Sequence, residues 1–212
     1  MSKEAKTGEA SKPRFEFRSF GQNFEAAAKR MARLSMPVPE KFWERHSDEI
    51  YIMSRTNDVN NTKIRDGKMD IKTLVQTVDG LEQWNPLMKG EFPMLSEILK
   101  NEVFTAFHVS APALPKEQYS YDEFMSMIRE HADLQAVLVH KQRSGYLVND
   151  VICETAIVFI NGARVETINL ESTDVQSMKQ TINHIGLQGV ENINYLQAIK
   201  RVVGMIDKPL AN

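Results

Sequence analysis

Alternation of polar and apolar residues with a period of two recurs along this chain and predicts antiparallel strands. The segment Arg14-Phe15-Glu16-Phe17-Arg18 puts its charged residues on one face and its two aromatic residues on the other. Asp66-Gly67 and Asn161-Gly162 each separate two β-rich runs, and both residues of such a pair accept positive φ. The pattern therefore predicts two tight hairpins, and a further strand is expected over residues 137 to 143.

The Asn161-Gly162 turn fixes the residue pairs of its hairpin by counting. Ile160 should lie opposite Ala163, Glu154 opposite Asn169, and Ile152 opposite Glu171. Glu154, Asn169 and Glu171 then share one face. Clustered oxygen ligands of this kind suit a hard cation such as Mg²⁺ or Mn²⁺.

The Asp66-Gly67 hairpin gathers basic residues in the same way. Counting puts Arg65 opposite Lys68, Lys63 opposite Asp70, and Asn61 opposite Lys72. The strand at 137 to 143 adds Lys141 and Arg143 on one side. An ordinary antiparallel sheet with one solvated face gives the same alternation. The charged face recurs in four segments, however, and a sheet closed around it would form a barrel with a polar lumen.

Helical periodicity marks segments that can cover the outside of such a barrel. Helices are expected at 24–34, after Asn23 as N-cap, at 175–185, after Asp174, and at about 191–203. Residues 121–131 also have a helical pattern, within a less regular, partly helical insertion at about 79–135. We expect a single domain over residues 13–206, a disordered N-terminal tail at 1–12 and a C-terminal tail at 207–212.

Composition narrows the class of protein. The chain has 212 residues, 42% of them hydrophobic, which is enough for one domain with a sizeable core. No apolar run approaches the roughly 18 residues of a membrane span, and residues 1–12 have no signal-peptide pattern, so a cytoplasmic protein is expected. A net charge of −2 gives no general attraction to nucleic acid, which is not expected as a partner. A homodimer is left open.

Other chemistries have little support in the sequence. The single cysteine, Cys153, cannot form an internal disulfide and is expected to be a buried strand thiol. The five histidines have no zinc-binding spacing. Neither a Walker A motif, nor a dinucleotide-binding glycine motif, nor a nucleophile elbow occurs.

The order of these motifs resembles the CYTH superfamily, also called triphosphate tunnel metalloenzymes. This group includes class IV adenylate cyclases, thiamine triphosphatases and inorganic triphosphatases. The resemblance covers about residues 14 to 204 and rests on short motifs in order: the charged first strand, Lys63-Ile64-Arg65 with Lys72, Lys141-Gln142-Arg143, Asn169-Leu170-Glu171, and Asn194-Tyr195. It implies an α+β fold, in which an eight-stranded antiparallel β-barrel forms a tunnel with a polar lumen and helices pack outside.

The resemblance also implies roles for these residues. A basic set would bind the phosphates of a triphosphate or polyphosphate, with Arg18 and Lys72 as catalytic residues: Arg14, Arg18, Lys63, Arg65, Lys72, Lys141 and Arg143. Carboxylates would hold Mg²⁺ or Mn²⁺, with Asn169 as a weaker neutral ligand and Asp150 at the start of its strand: Glu16, Glu154, Glu171, Asn169 and Asp150. The cation would polarise a phosphoryl oxygen for attack by water.

The chain departs from the pattern of this superfamily in its acidic positions. The first strand of the superfamily carries Glu-x-Glu-x-Lys, whereas this chain has Arg14-Phe15-Glu16-Phe17-Arg18. Asn169 stands where an acid would be expected. Arg14 could supply charge in place of a metal or form a structural pair with Glu16 or a neighbouring strand, and the structural pair is slightly favoured.

Two main functions follow from these observations. The first is metal-dependent hydrolysis of an inorganic, nucleoside or thiamine triphosphate, and it is narrowly favoured. The second is binding of a polyphosphate or nucleotide without turnover, in a catalytically impaired protein. A class IV type adenylate cyclase is a third hypothesis, although the sequence identifies no base-recognition pocket.

Overall fold

Eight strands of this chain close into one antiparallel barrel in the computed structural model, which describes residues 13–210. The predicted N-terminal tail at 1–12 lies outside the described residues, as do residues 211–212 of the predicted C-terminal tail at 207–212. Around the barrel the strands follow the order β1-β10-β9-β8-β2-β3-β4-β5, and β5 pairs with β1 to close it. The barrel strands are β1 (Phe15–Gly21), β2 (Arg45–Ser54), β3 (Asn60–Arg65), β4 (Lys68–Val78), β5 (Leu81–Glu91), β8 (Leu134–Val148), β9 (Val151–Ile160) and β10 (Ala163–Ser172). The predicted fold class is confirmed.

Both predicted hairpins have the register obtained by counting from their turns. Glu154 pairs with Asn169 between β9 and β10, and Lys63 pairs with Asp70 between β3 and β4. Asp66, Gly67, Asn161 and Gly162 all have positive φ. Because side chains alternate between the two faces of a strand, these registers determine which residues point into the lumen.

Two barrel strands were not expected from the sequence. β2 carries Arg45, Glu49 and Tyr51 on its inner face, while β5 lies in the range where a less regular insertion was expected. β5 contains Pro86, which lacks a donor for the ladder. A break in the β4–β5 register between Ile71 and Lys72 accommodates this proline opposite Lys72.

Helices cover the outer face of the barrel with two apolar layers. On one side α1 (Glu25–Leu34) and α5 (Val175–Ile185) pack on outward residues of the strands through Met31, Met178 and Ile185. On the other side a second buried cluster involves the segment between β5 and β8, whose elements are β6 (Met94–Leu95), α2 (Ser96–Ile98), a π-helical turn (Leu99–Val103), α3 (Phe104–Ala106), β7 (Gln118–Tyr119) and α4 (Tyr121–Glu130). No helix within residues 13–210 is long and apolar enough to cross a membrane.

The caps of the helices agree only in part with the predictions. Asp174 caps α5 through the backbone N–H groups of Gln176 and Ser177, as expected. The prediction of Asn23 as the cap of α1 was wrong, because Asn23 has φ of 66° and Phe24 stands at the cap without a side-chain hydrogen bond. α6 (Tyr195–Val202) is shorter than expected and begins after Asn194, whose side chain accepts from Gln197 N–H.

α6 packs against inward-facing residues of the barrel, whereas the sequence indicated an outer helix. Leu196 and Ile199 of α6 are fully buried together with Phe20, Tyr51 and Val139, which point into the lumen. Lys200 is also buried, and its Nζ donates to Asn57 O and Asp58 Oδ1, both at 2.8 Å, in the turn after β2. One end of the lumen is therefore filled by apolar side chains and closed by α6.

Candidate functional site

The other half of the lumen is a polar cavity of about 590 Å³. Seven basic and five acidic side chains line it, so the wall carries an excess of two positive charges. The basic residues come from five strands and the residue just before β1. The charged lining residues are Arg14, Glu16, Arg18, Arg45, Glu49, Lys63, Asp70, Lys72, Lys141, Arg143, Glu154 and Glu171. A lumen lined in this way can hold an anion by charge and by hydrogen bonds.

Glu49 is the most buried carboxylate of the cavity and holds several cations. It is 1% exposed. Lys141 Nζ donates to Glu49 Oε2 at 2.7 Å, and Tyr51 OH donates to the same oxygen at 3.1 Å. Arg65 lies at 3.4 Å and Lys63 at 3.8 Å from the Glu49 oxygens. One carboxylate on β2 thus fixes basic side chains from both β3 and β8.

The ionisation of this cluster follows from its burial and its charges. Burial disfavours the charged form of Glu49, but Lys141 and Lys63 outweigh it and lower the pKa of Glu49 to about 2. Burial also lowers the pKa of Lys141 to about 7, against the opposing effect of Glu49. The pair is therefore fully charged in weakly acidic solution, and Lys141 loses its proton around neutral pH.

Tyr195, the first residue of α6, lies between two of the cations. Lys141 Nζ lies 3.9 Å and Arg18 Cζ 4.8 Å from the centroid of its ring, and Tyr51 stacks on it at 5.3 Å. Arg18 is 6% exposed and therefore deep in the barrel. The negative faces of these rings stabilise positive charge where water is largely excluded. The closing helix thus contributes to the floor of the polar cavity.

Each of the three glutamates expected to bind a metal is paired with an arginine. Arg18 Nε donates to Glu16 at 2.6 Å, and Arg45 donates to Glu154 at 2.7 Å. Arg14 lies 3.6 Å from Glu171 on the neighbouring strand β10. Asn169 Nδ2 donates to Glu171 Oε1 at 2.9 Å, so Asn169 presents its amide hydrogens to this carboxylate.

This donor set does not fit a divalent metal. Within residues 13–210 no three acidic, histidine or cysteine side chains lie close enough together to hold an ion. The paired carboxylates would have to leave their arginines before they could act as ligands. One oxygen each of Glu16, Glu154 and Glu171 thus already lies next to an arginine nitrogen, and this positive charge opposes the approach of a metal ion.

Two predicted site residues do not line the cavity. Asp150 is exposed in the turn between β8 and β9, with φ of 59°, and is not part of the lining. Arg65 points toward Glu49 from the exposed end of β3 but does not line the cavity. The remaining predicted residues all line it: Arg14, Glu16, Arg18, Lys63, Lys72, Lys141, Arg143, Glu154, Asn169 and Glu171. Their roles stay predictions.

Arg45, Glu49 and Asp70 line the cavity without having been expected from the sequence. The signal for the first two was the alternation of Arg45, Ser47 and Glu49 in one short segment. Asp70 was counted into its hairpin opposite Lys63 but was given no role. The burial of Glu49 among basic side chains depends on the closed barrel and could not be predicted from this segment alone.

The segment between α1 and β2 forms an apolar wall on one side of the cavity. Pro37, Val38, Pro39 and Phe42 contribute to the lining. Met36 N–H donates to Leu147 O at 2.8 Å, which joins the segment to β8. The segment lies so close to β8 that a Cβ at Gly145 would stand 3.3 Å from Phe42 O.

Solved structures with weak similarity to this chain match most of its length. A conserved hypothetical protein from Pyrococcus furiosus is 15% identical, with a TM-score of 0.48, and the similarity covers 86% of this chain and 98% of that one. An adenylyl cyclase candidate from Hippeastrum with a dominant triphosphatase activity is 9% identical, with a TM-score of 0.46, over 91% of this chain and 97% of that one.

The capping enzyme triphosphatase of Mimivirus is 10% identical, with a TM-score of 0.43, over 84% of this chain and 89% of that one. No protein-family model and no curated protein sequence matches the chain. The eight-stranded antiparallel barrel that the sequence predicts is present in the structure.

Proposed function

We propose that this chain binds a triphosphate or a similar small polyphosphate anion in the polar cavity of the barrel and does not hydrolyse it. The observation that carries the proposal is the convergence of seven basic side chains, from five strands and the residue before β1, on one cavity of about 590 Å³. Arginine offers paired donors to phosphate oxygens, and lysine adds a mobile point charge. A multiply charged anion matches this wall better than a neutral ligand does.

The geometry of the cations supports binding of several phosphate groups in a row. Arg18 and Lys141 are buried at the closed end, whereas Arg14 and Lys72 are exposed toward the solvent. Arg143 lies between these levels, with its Nε free of a partner among the described residues and one NH2 contact to Ser47. Positive charge therefore extends from the floor of the cavity to its mouth.

Metal-dependent hydrolysis has weaker support. That reaction needs carboxylate oxygens that are free to bind a cation, and here Glu16, Glu154 and Glu171 are held by arginines. Binding without turnover needs only the basic wall. Of the two functions that the sequence leaves open, the second is thus the one this donor set favours.

Titration calorimetry with inorganic tripolyphosphate tests the proposal. Replacing Arg143 by Met keeps an unbranched apolar stem but removes the guanidinium group and its charge, and should weaken binding by about 1.5–3 kcal/mol, the range for a charge-assisted hydrogen bond. Arg164→Met is the matched control, because Arg164 is exposed on the outer face of β10 and pairs with Glu166. Equal affinities of the two variants, or absence of binding by the native chain, would contradict the proposal.

Phosphate release separates binding from hydrolysis. We expect none from inorganic, nucleoside or thiamine triphosphates, with or without Mg²⁺ or Mn²⁺. Release that requires the metal and stops with EDTA would establish metal-dependent hydrolysis instead.

A further inference from the structure

The arrangement of arginines around the carboxylates bears on how the cavity neutralises its ligand. We infer that fixed guanidinium groups, those of Arg14, Arg18 and Arg45, take the place of a divalent cation, so that this cavity binds phosphate anions without metal. The inference rests on the proposed function. It adds that binding needs no metal ion. Two observations support this addition: the net charge of the cavity wall and the pairing of its carboxylates with arginines.

The pairing is systematic. Glu16, Glu154 and Glu171 lie on three strands, and each faces a different arginine at 2.6, 2.7 and 3.6 Å. The arginines come from the two ends of the β1 motif and from β2. Among the lining carboxylates, these three and Glu49 have a basic partner, whereas Asp70 Oδ1 is buried without a hydrogen-bond partner among the described residues.

Arg45 reaches Glu154 across a glycine on the strand between them. Glu154 lies directly opposite Gly145 in the β8–β9 ladder, and Arg45 extends from β2 on the other side of β8. A Cβ at position 145 would stand 3.7 Å from Arg45 Nη2, at ordinary van der Waals distance, so the guanidinium group passes directly over this residue.

Asn169 completes the replacement. Its amide nitrogen donates to Glu171, and its Oδ1, in a residue 2% exposed, has no partner among the described residues. An aspartate in this position would repel Glu171 unless a cation lay between them. The asparagine removes that repulsion and leaves its Oδ1 available to a donor.

The charge of the wall is consistent with this arrangement. Below neutral pH, where Lys141 is protonated, an excess of two positive charges remains after all acidic lining residues are counted, and above neutral pH the excess is one. The excess below neutral pH equals the charge that one divalent ion would bring. The side chains of the cavity therefore supply positive charge to a phosphate chain. A site lined mainly by carboxylates would need a metal ion to supply it.

Calorimetry of the full chain with inorganic tripolyphosphate, in EDTA and in excess Mg²⁺, tests the inference. We expect the affinity in Mg²⁺ to be equal or lower, because Mg²⁺ in solution competes with the protein for the phosphate oxygens. A higher affinity in Mg²⁺ than in EDTA would overturn the inference and leave the proposed function standing. Binding in neither condition would overturn both.

Variants show whether the arginines act as the replacement charge. Arg45→Met should lose at least about tenfold in affinity in EDTA, equivalent to about 1.4 kcal/mol, and Arg164→Met should not. If Arg45→Met fails to fold by circular dichroism, Arg14→Met at the exposed end of β1 replaces it in the test. A loss no larger than that of the control would contradict the inference.

Mn²⁺ binding gives an independent measurement without phosphate. Water proton relaxation reports how much Mn²⁺ the chain binds. We expect the native chain, Glu154→Gln and Glu171→Gln to bind the same amount. Uptake that is lost in either variant would mean that these carboxylates leave their arginines to bind a metal, and the inference would be wrong.

Discussion

Replacing Glu49 by Gln should destabilise the folded chain by about 3 kcal/mol at pH 7. The side chain is 1% exposed and accepts from Lys141 and Tyr51. A pKa lowered from 4.5 to about 2 corresponds to about 3 kcal/mol, because each pKa unit is worth about 1.4 kcal/mol. Removal of one partner from a buried ion pair costs about 3–5 kcal/mol, which agrees. Glutamine keeps the shape, so packing changes little.

The pH dependence of this loss has a definite sign. The pKa of Glu49 is lower in the folded chain than in the unfolded one, so its ionised form stabilises the fold fully above pH 4.5. The stabilisation decreases as pH falls toward 2. The difference between the native chain and Glu49→Gln should therefore shrink from about 3 kcal/mol at pH 7 to about 1.5 kcal/mol at pH 3.

Urea unfolding followed by circular dichroism at several pH values measures both effects. Asp48→Asn is the matched control, since Asp48 is the residue before Glu49 in β2, points outward and has a side chain that is 73% exposed. We expect the control to change the free energy of unfolding by less than about 0.5 kcal/mol. A loss below about 1 kcal/mol for Glu49→Gln, or a loss that does not vary with pH, would refute the view that Glu49 organises the basic wall.

Two further predictions concern single buried groups. Burial lowers the pKa of Lys141 to about 7, so a positive charge at the floor of the cavity is present below neutral pH and is lost above it. Calorimetry between pH 6 and 8 should therefore show the affinity for tripolyphosphate falling more in the native chain than in Lys141→Met. Parallel pH profiles of the two chains would contradict this. Burial raises the pKa of the Cys153 thiol to about 12, so a disulfide reagent should react with it slowly in the folded chain and rapidly in urea, whereas rapid reaction of the native chain would show that the β9 strand opens.

Hairpins were predictable from the sequence because their registers depend on two adjacent residues. Asn161-Gly162 and Asp66-Gly67 fix turns whose geometry demands positive φ, and every pair up each ladder follows by counting. The faces of Lys63, Lys72, Glu154 and Glu171 therefore followed from local information.

Long-range pairing was not predictable in the same way. β2 shows its charged face only at Arg45, Ser47 and Glu49, before apolar residues take over both faces, and Pro86 argued against a strand at 81–91. The arginine–carboxylate pairs join β1 to β10 and β2 to β9, which no turn connects. Sequence patterns could indicate that charges share a lumen but not which ones neutralise each other.

α6 makes the barrel a blind compartment, and this restricts the topology of any ligand. A passage open at both ends can accept the middle of a long polymer, whereas a compartment closed by Leu196 and Ile199 at one end admits only a terminus. If the cavity binds phosphate chains, each chain enters with its terminal phosphate first. A long polyphosphate or a strand with a terminal triphosphate would then occupy it by its last few phosphates alone, with the rest of the molecule outside.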